Sequence, residues 1–201
     1  MTPKDFAAAW GEQHLVVFSM DALTSVNIPM SSKRFLAEGG LPRQAPLPSD
    51  RDGLHLLPPE APLKMLPGGD EFRLMEKVGE FWLLAIRWYR CLIALDQKGR
   101  VVTHSDEGLR LGRAFLMNSS VSHFAETLLA CRASKERFGP RWSSDYPSFL
   151  EMSKTPEYAR FVTEASAETD WLEAELRRID PAAMARPDSY WSGVLEDLRQ
   201  I

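Results

Sequence analysis

The spacing of apolar positions divides the chain into a mixed N-terminal third, a β-rich middle and a helical end. Thr2-Pro3, then Phe6, Ala9 and Trp10 at helical spacing, then Gly11, predict a short opening helix with cap, first-turn proline and stop in order. Leu15 to Phe18 is an apolar, β-prone run of strand length. Ser31 or Ser32 is placed to cap a second helix that carries Phe35 and Leu36 and stops at Gly39-Gly40, after which Leu41-Pro42 forces an extended exit. Pro29 to Pro67 holds eight of the 14 prolines, so this stretch is not expected to be mostly regular structure. A long irregular segment inside a compact domain tends to be mobile or functional.

In the middle, Phe72 to Val78 alternates roughly, Phe81 to Trp88 is almost continuously apolar, and Leu92 to Leu95 is a further run. Asp96-Gln97-Lys98-Gly99 is a turn, and Arg100 to His104 returns as a strand. Connections this short predict an antiparallel meander, because parallel pairing needs a crossover of about a dozen residues. Both alternating faces of Phe81 to Ile86 are apolar, which predicts a central strand covered on both sides, with Phe81, Leu83, Ala85, Leu92 and Ala94 the most buried.

From Ser119 the period becomes helical. Ser119 or Ser120 caps a helix whose face is Val121, Phe124, Ala125, Leu128 and Leu129, closing at Gly139-Pro140. Thr155-Pro156 opens the longest helix, with a stripe of Phe161, Val162, Ala165, Leu172, Leu176 and Ile179. Pro187-Asp188-Ser189 starts the last, on which Trp191, Val194, Leu195 and Leu198 share a face. Strands in the middle and helices at the end read as one α+β domain over residues 1–201, a central twisted antiparallel sheet with the helices of 155–201 packed on it.

Composition removes whole classes. The longest apolar run, Phe81 to Ile86, is six residues, against the roughly 20 needed to cross a bilayer, and no apolar leader follows Thr2-Pro3-Lys4-Asp5. Neither a membrane role nor a signal-bearing secreted chain is expected. Cys91 and Cys131 supply neither a disulfide framework nor a zinc set, which favours a reducing cytoplasm. The net charge of −4 argues against a general nucleic-acid binder. That charge is uneven: from Glu164 onward nine acidic residues face four basic ones, so the acidity belongs to the end of the chain. Such a run is either a solvated helix face or a surface that attracts a basic partner.

Candidate chemistry is sparse. His14, His55, His104 and His123 lie far apart, with no second His or Cys at metal-ligand spacing. No Gly-x-Ser-x-Gly elbow occurs, and Gly68-Gly69 is followed by Asp70-Glu71 instead of a phosphate-binding Lys-Ser/Thr. An enzyme would require at least two of His104, Asp106, His123 and Cys131 to converge. Arg87-Trp88-Tyr89-Arg90 interleaves base and aromatic as nucleic-acid platforms do, and reads instead as a strand end with exposed arginines. The chain is therefore expected to be a binding protein that uses no metal or cofactor.

Several separated stretches resemble one family. Ser32-Lys33-Arg34-Phe35-Leu36-Ala37-Glu38-Gly39-Gly40-Leu41-Pro42 is similar to the helix and Gly-Leu-Pro entry of the SUKH superfamily, specifically its fourth subfamily of bacterial immunity proteins. Leu95-Asp96-Gln97-Lys98-Gly99-Arg100-Val101 resembles that family's hairpin, and Met117-Asn118-Ser119-Ser120-Val121 its strand-to-helix junction. Asp180-Pro181-Ala182-Ala183 through Tyr190-Trp191 to Leu195-Glu196 resembles its closing segment. The resemblance implies an α+β fold without shared catalytic residues. It also implies that the protein neutralises a cognate bacterial toxin, often a nuclease or deaminase, in the cytoplasm of the producing cell. Expected contacts are the proline-rich segment (Arg51, Asp52, Asp70, Glu71), the end of the sheet (Trp88, Tyr89, Arg90) and the acidic helix (Glu168, Asp170, Glu173). The competing reading is a regulatory or scaffold module that binds an endogenous protein or a small ligand in a groove.

Overall fold

The computed structural model describes residues 1–47, 50–55, 63–64, 71–72, 75–87, 91–138, 155–186 and 189–199, of which 50–55, 63–64, 71–72, 86–87, 106 and 138 are described by backbone alone. Helix α1 (Pro3–Trp10) begins as its sequence requires. Thr2 is extended, its Oγ1 accepts the Asp5 N–H at 3.2 Å, and the Asp5 carboxylate accepts the Thr2 N–H in return. Gly11 ends the helix at φ 98°. Strand β1 is only Leu15–Val16, shorter than expected, because Phe18 turns inward to 1% exposure and donates its N–H to Leu36 O.

Helix α2 (Met30–Glu38) departs from expectation at its start: Pro29 holds the cap position, and neither Ser31 nor Ser32 caps the helix. Ser32 is buried against the hairpin at Gly99, where an added Cβ would lie 2.5 Å from Ser32 Oγ. At its other end, a Cβ on Gly39 would meet the Pro3 backbone at 2.9 Å. Gly40 has φ 66° and would meet Val16 O at 2.5 Å. The glycine pair lets α1, α2 and β1 approach one another before β2 (Leu41–Pro42) pairs with β1.

The proline-rich segment is more regular than predicted. It contains α2, β2, β3 (Gln44–Leu47), β4 (Asp50–His55) and β5 (Leu63–Lys64). Strand β3 terminates the main sheet, and Pro46 sits at the register irregularity between Ala45 and Leu47, so the missing N–H falls where the ladder is already broken. Strand β5 pairs with β6 (Glu71–Phe72) as a separate ribbon.

The predicted meander is present as β7 (Lys77–Val78), β8 (Phe81–Arg87), β9 (Cys91–Leu95) and β10 (Val101–Ser105). Of the strand expected over Phe72 to Val78, only Lys77–Val78 joins it, and Phe72 pairs in the β5–β6 ribbon. Strand β11 (Phe115–Asn118) is a further strand that the apolar pattern did not predict. The seven-stranded sheet runs β11-β10-β9-β8-β4-β3, with β7 also paired to β8. Strand β8 is central, and its register with β9 skips Leu84. Leu83, Leu84 and Ala85 are consecutively buried, which accounts for the unbroken apolar run. Phe81, Leu92 and Ala94 are buried as expected. In the β9–β10 hairpin, Asp96 Oδ1 accepts the N–H groups of Lys98 and Arg100, both at 2.9 Å, and Gly99 supplies φ 76°. A short helix that the apolar pattern did not announce, α3 (Asp106–Arg110), separates β10 from β11.

Ser120 caps α4 (Val121–Phe138), its Oγ accepting the His123 N–H. The expected stop at Gly139-Pro140 lies outside the described residues. Arg132 of α4 donates to Ala9 O and Trp10 O and lies over the Trp10 ring, placing a cation at the carbonyl end of α1. Helix α5 (Pro156–Ile179) starts at the Thr155 cap and buries Ala165, Leu172, Leu176 and Ile179, whereas Val162, expected on that stripe, is exposed. Helix α6 (Tyr190–Arg199) buries Trp191, Val194, Leu195 and Leu198. Nearly all the buried apolar residues described form one core, to which the main sheet and the helices α1 to α6 each contribute.

A buried polar node joins the helical end to the sheet. Asp180, 1% exposed, accepts the Ser119 N–H at 2.6 Å, the Asn118 side-chain amide at 3.3 Å and the Ala183 N–H at 3.3 Å. The Asn118 amide also donates to Thr127 Oγ1, and Trp191 Nε1 donates to Met117 O at 2.8 Å. Asp180→Ala orphans the Ser119 N–H and weakens the hold on Asn118, at about 1–3 kcal/mol for each buried group left unpaired. Asp180→Asn keeps an acceptor oxygen and is expected to cost less. Urea denaturation of the two variants checks the order.

Candidate partner-binding surfaces

Of the residues an enzyme would need, the side chains of His104, His123 and Cys131 are described, each in surroundings of its own. The His104 ring is stacked on Phe115 at 5.2 Å, and its Nδ1 accepts the Ser105 N–H. His123 Nδ1 lies 2.8 Å from Ser119 Oγ and 3.7 Å from Asp180. Cys131 follows His123 by eight residues on α4, about 12 Å along the axis, and its thiol is pushed up to about 12 by burial. The Asp106 side chain is outside the described residues. Among the described residues, no group of three or more His, Cys, Asp or Glu is placed to hold a metal.

The acidic helix is built differently from what a charge count suggests. Glu168 of α5 accepts two hydrogen bonds from Arg137 of α4, at 3.1 and 2.6 Å, while Arg137 also lies 3.6 Å over the Trp171 ring. Glu173 is held by Arg177 one turn on and by Arg199 of α6; hydrogen bonds from Arg199, then Arg177, keep its carboxyl below the usual range. Glu175 pairs with Arg178 and Glu164 with Arg160. Of the three expected contact residues on this helix, only Asp170 keeps a largely exposed carboxylate, 69%, with one 3.4 Å contact to Arg199. The structure thus brings Asp170 and Glu173 together through one arginine and ties Glu168 to a different helix.

The other expected contacts are less defined. Arg51 and Asp52 lie on the β4 backbone and Glu71 on the β6 backbone, with their side chains outside the described residues. Asp70, Trp88, Tyr89 and Arg90 lie outside the described residues altogether; the last three fall in sequence between β8 and β9. A cleft of about 410 Å³ opens between the starts of α1 and α4 and one side of α2, lined in part by Ser31, Arg34, Glu38, Ser120 and Ser122. Among the described residues, this cleft is lined by residues in or just before the helices and by none from the sheet.

The apolar pattern overlooked one surface. Leu111 is 61% exposed and Phe115 55%, the highest values among the large apolar residues described. In sequence they lie in Arg110-Leu111-Gly112-Arg113-Ala114-Phe115, where Leu111, Ala114 and Phe115 have helical spacing but Gly112 and the shortness of the run carry no helix across them.

Two outcomes follow from these surroundings. At about pH 8 a thiol reagent is expected to modify the folded chain at Cys91 alone, with Cys131 reacting only after denaturant is added. Glu173 has a lowered folded pKa, so its contribution is present above the unfolded carboxylate value of about 4.3 and is lost as pH falls through the folded one. Glu173→Gln should therefore lower stability at pH 7 by about 0.5–1 kcal/mol, and the difference from the parent should close below about pH 4, as read by urea melts across pH.

Two of the comparisons with known proteins return nothing: no curated relative and no solved structure matches. The third is nearly full-length, a family model described as SUKH-4 immunity protein that matches residues 1–197. It spans the capped helix, the glycine pair, the Asp96 hairpin, and the Asn118, Asp180 and Trp191 node, so the chain belongs to the SUKH-4 immunity protein family.

Proposed function

We propose that this protein is a stoichiometric antidote, which binds one cognate toxin, a nuclease or deaminase effector, in the cytoplasm of the cell that makes both and occludes its active site. The observation that carries the reading is the family match over residues 1–197. Toxin immunity is the family's general role, and the identity of the toxin and the manner of its inhibition belong to the proposal. Neutralisation by binding asks for a preorganised surface, since ordering a flexible one would subtract from affinity. The described core, in which Leu83, Leu92, Phe124, Leu172 and Trp191 are all fully buried, suits that requirement.

The contact set includes Arg51, Asp52, Asp70, Glu71, Trp88, Tyr89, Arg90, Glu168, Asp170 and Glu173. The last three act unequally. Toxin cations would compete with Arg137 and Arg199 for Glu168 and Glu173, whereas Asp170 is open to them. The acidic helix therefore contributes more to encounter than to the lifetime of the complex.

Co-expression with the effector encoded beside its gene provides the test. The protein should restore growth and co-purify with the effector at equimolar ratio, and failure to do either removes the reading. Asp170→Lys should slow association with a basic effector several-fold at low ionic strength, with little change at about 0.5 M salt. An unchanged rate would leave the acidic helix as a solvated face.

A further inference from the structure

The geometry points to the α3–β11 corner as a docking knob, anchored by Leu111 and Phe115, for a partner surface that offers an apolar pocket rimmed by carboxylates. This rests on the immunity reading and adds the chemistry of the partner's contact patch. Phe115 follows Leu111 by four residues, so the two lie within about 14 Å of each other, inside the footprint of one protein contact. Both are more than half exposed, and the chain between and beside them is exposed as well, including Arg110 and Arg113. Aromatic and arginine side chains are enriched at protein contacts, and Phe115 and Arg113 are of these kinds. Leu111 adds apolar area beside them, and the exposed Arg113 guanidinium selects acidic neighbours on the partner.

The knob is held rigidly from behind. Ser105 caps α3 by accepting the Gly108 N–H, the Leu111 N–H reaches Glu107 O, and the Arg113 N–H reaches Gly108 O at 2.8 Å. Leu109 is fully buried, and Gly79 approaches so closely that a Cβ there would lie 2.5 Å from Leu109 O. Phe115 is fixed by its pairing with Thr103 and by the near-parallel stack on His104, whose interplanar angle is 5°. Gly108 admits the His104 ring, since a Cβ there would fall 1.7 Å from Nδ1. An exposed apolar pair on a flexible loop would lose ordering entropy on binding, and this pair is already ordered.

A random peptide library displayed on phage and panned against the full chain tests the assignment with no toxin in hand. Selected peptides are expected to combine a bulky apolar residue with flanking Asp or Glu. Their affinity, read by fluorescence anisotropy, should fall at least ten-fold on Leu111→Ser or Arg113→Glu and stay unchanged on Asp21→Lys, an exposed position between β1 and α2. The first two substitutions lie off the His104 stack, and circular dichroism confirms that each variant is folded. A basic or uncharged consensus, or peptides that bind Leu111→Ser as well as the parent, overturns the inference. So does binding of a single-stranded oligonucleotide that Arg113→Glu abolishes, or a concentration-dependent dimer that Leu111→Ser dissolves. An adjacent effector that binds parent and Leu111→Ser equally overturns the knob and leaves the immunity reading standing. An effector that binds neither removes that reading, and the peptide result then decides the knob by itself.

Discussion

A carboxylate buried to 1% exposure with no lysine or arginine bonded to it among the described residues is an expensive thing to keep, and the arrangement around Asp180 shows how the fold keeps it. It accepts from two backbone N–H groups and one side-chain amide, with the half-exposed His123 ring at 3.7 Å. Those donors come from the end of β11 and from the turn after α5. The Trp191 indole closes the same junction from α6 by donating to Met117 O. A helix pair that rested on apolar contact alone could slide along the sheet with little penalty. Here each displacement leaves a buried polar group unpaired, so the node sets the register between the helical end and the sheet.

The same region shows why net charge is a poor guide to a surface. Nine acidic and four basic residues from Glu164 onward would suggest an acidic field, yet Glu168 draws Arg137 from the preceding helix, and Glu173, Glu175 and Glu164 each hold an arginine close by. Asp180 is buried and presents no charge to a partner at contact range. Among the described residues, what remains open is concentrated at Asp170 and on the exposed side of α6 at Glu196 and Asp197. Sequence counting cannot find Arg137, because it lies 31 residues from its carboxylate and meets it only through the packing of α4 on α5.

Wherever local chemistry decides, the sequence was readable. Thr2-Pro3 and Asp5 make their capping box without help, the Asp96 hairpin closes on its own backbone, and the α6 face is apolar at helical spacing. Tertiary contacts account for the departures. Helix α2 starts at Met30 behind Pro29, which puts Ser31 and Ser32 inside its first turn, with Ser32 buried beside Gly99, so the predicted hydroxyl cap does not form. Pro46 enters a strand because that strand is an edge with a broken ladder, a property that belongs to the sheet and not to the tetrapeptide. Helix α3 is five residues long and carries one buried leucine, too little periodicity to register. Of the expected contacts, the α5 set is the one whose side chains are described, and its pairing with Arg137 and Arg199 was not legible in the sequence.

The features by which this chain is recognisable are almost all turned inward. Gly39 and Gly40 exist for close backbone approach, Asp96 and Gly99 for a turn, and Asn118, Asp180 and Trp191 for a buried junction. A protein whose motifs are spent on its own interior can keep its fold while its outside is rewritten, because exposed substitutions away from caps and junctions usually change stability by no more than about 0.5 kcal/mol. Partner choice in such a scaffold must therefore reside in residues that the motifs leave unconstrained. Exposed side chains standing on rigidly held backbone meet that condition best, since their identity can change without cost to the core while their geometry stays fixed. The corner at Leu111 and Phe115 is such a place: its backbone is fixed by Ser105, Gly108 and Leu109, and its apolar side chains stand outside the core, with Phe115 against the half-buried His104 ring.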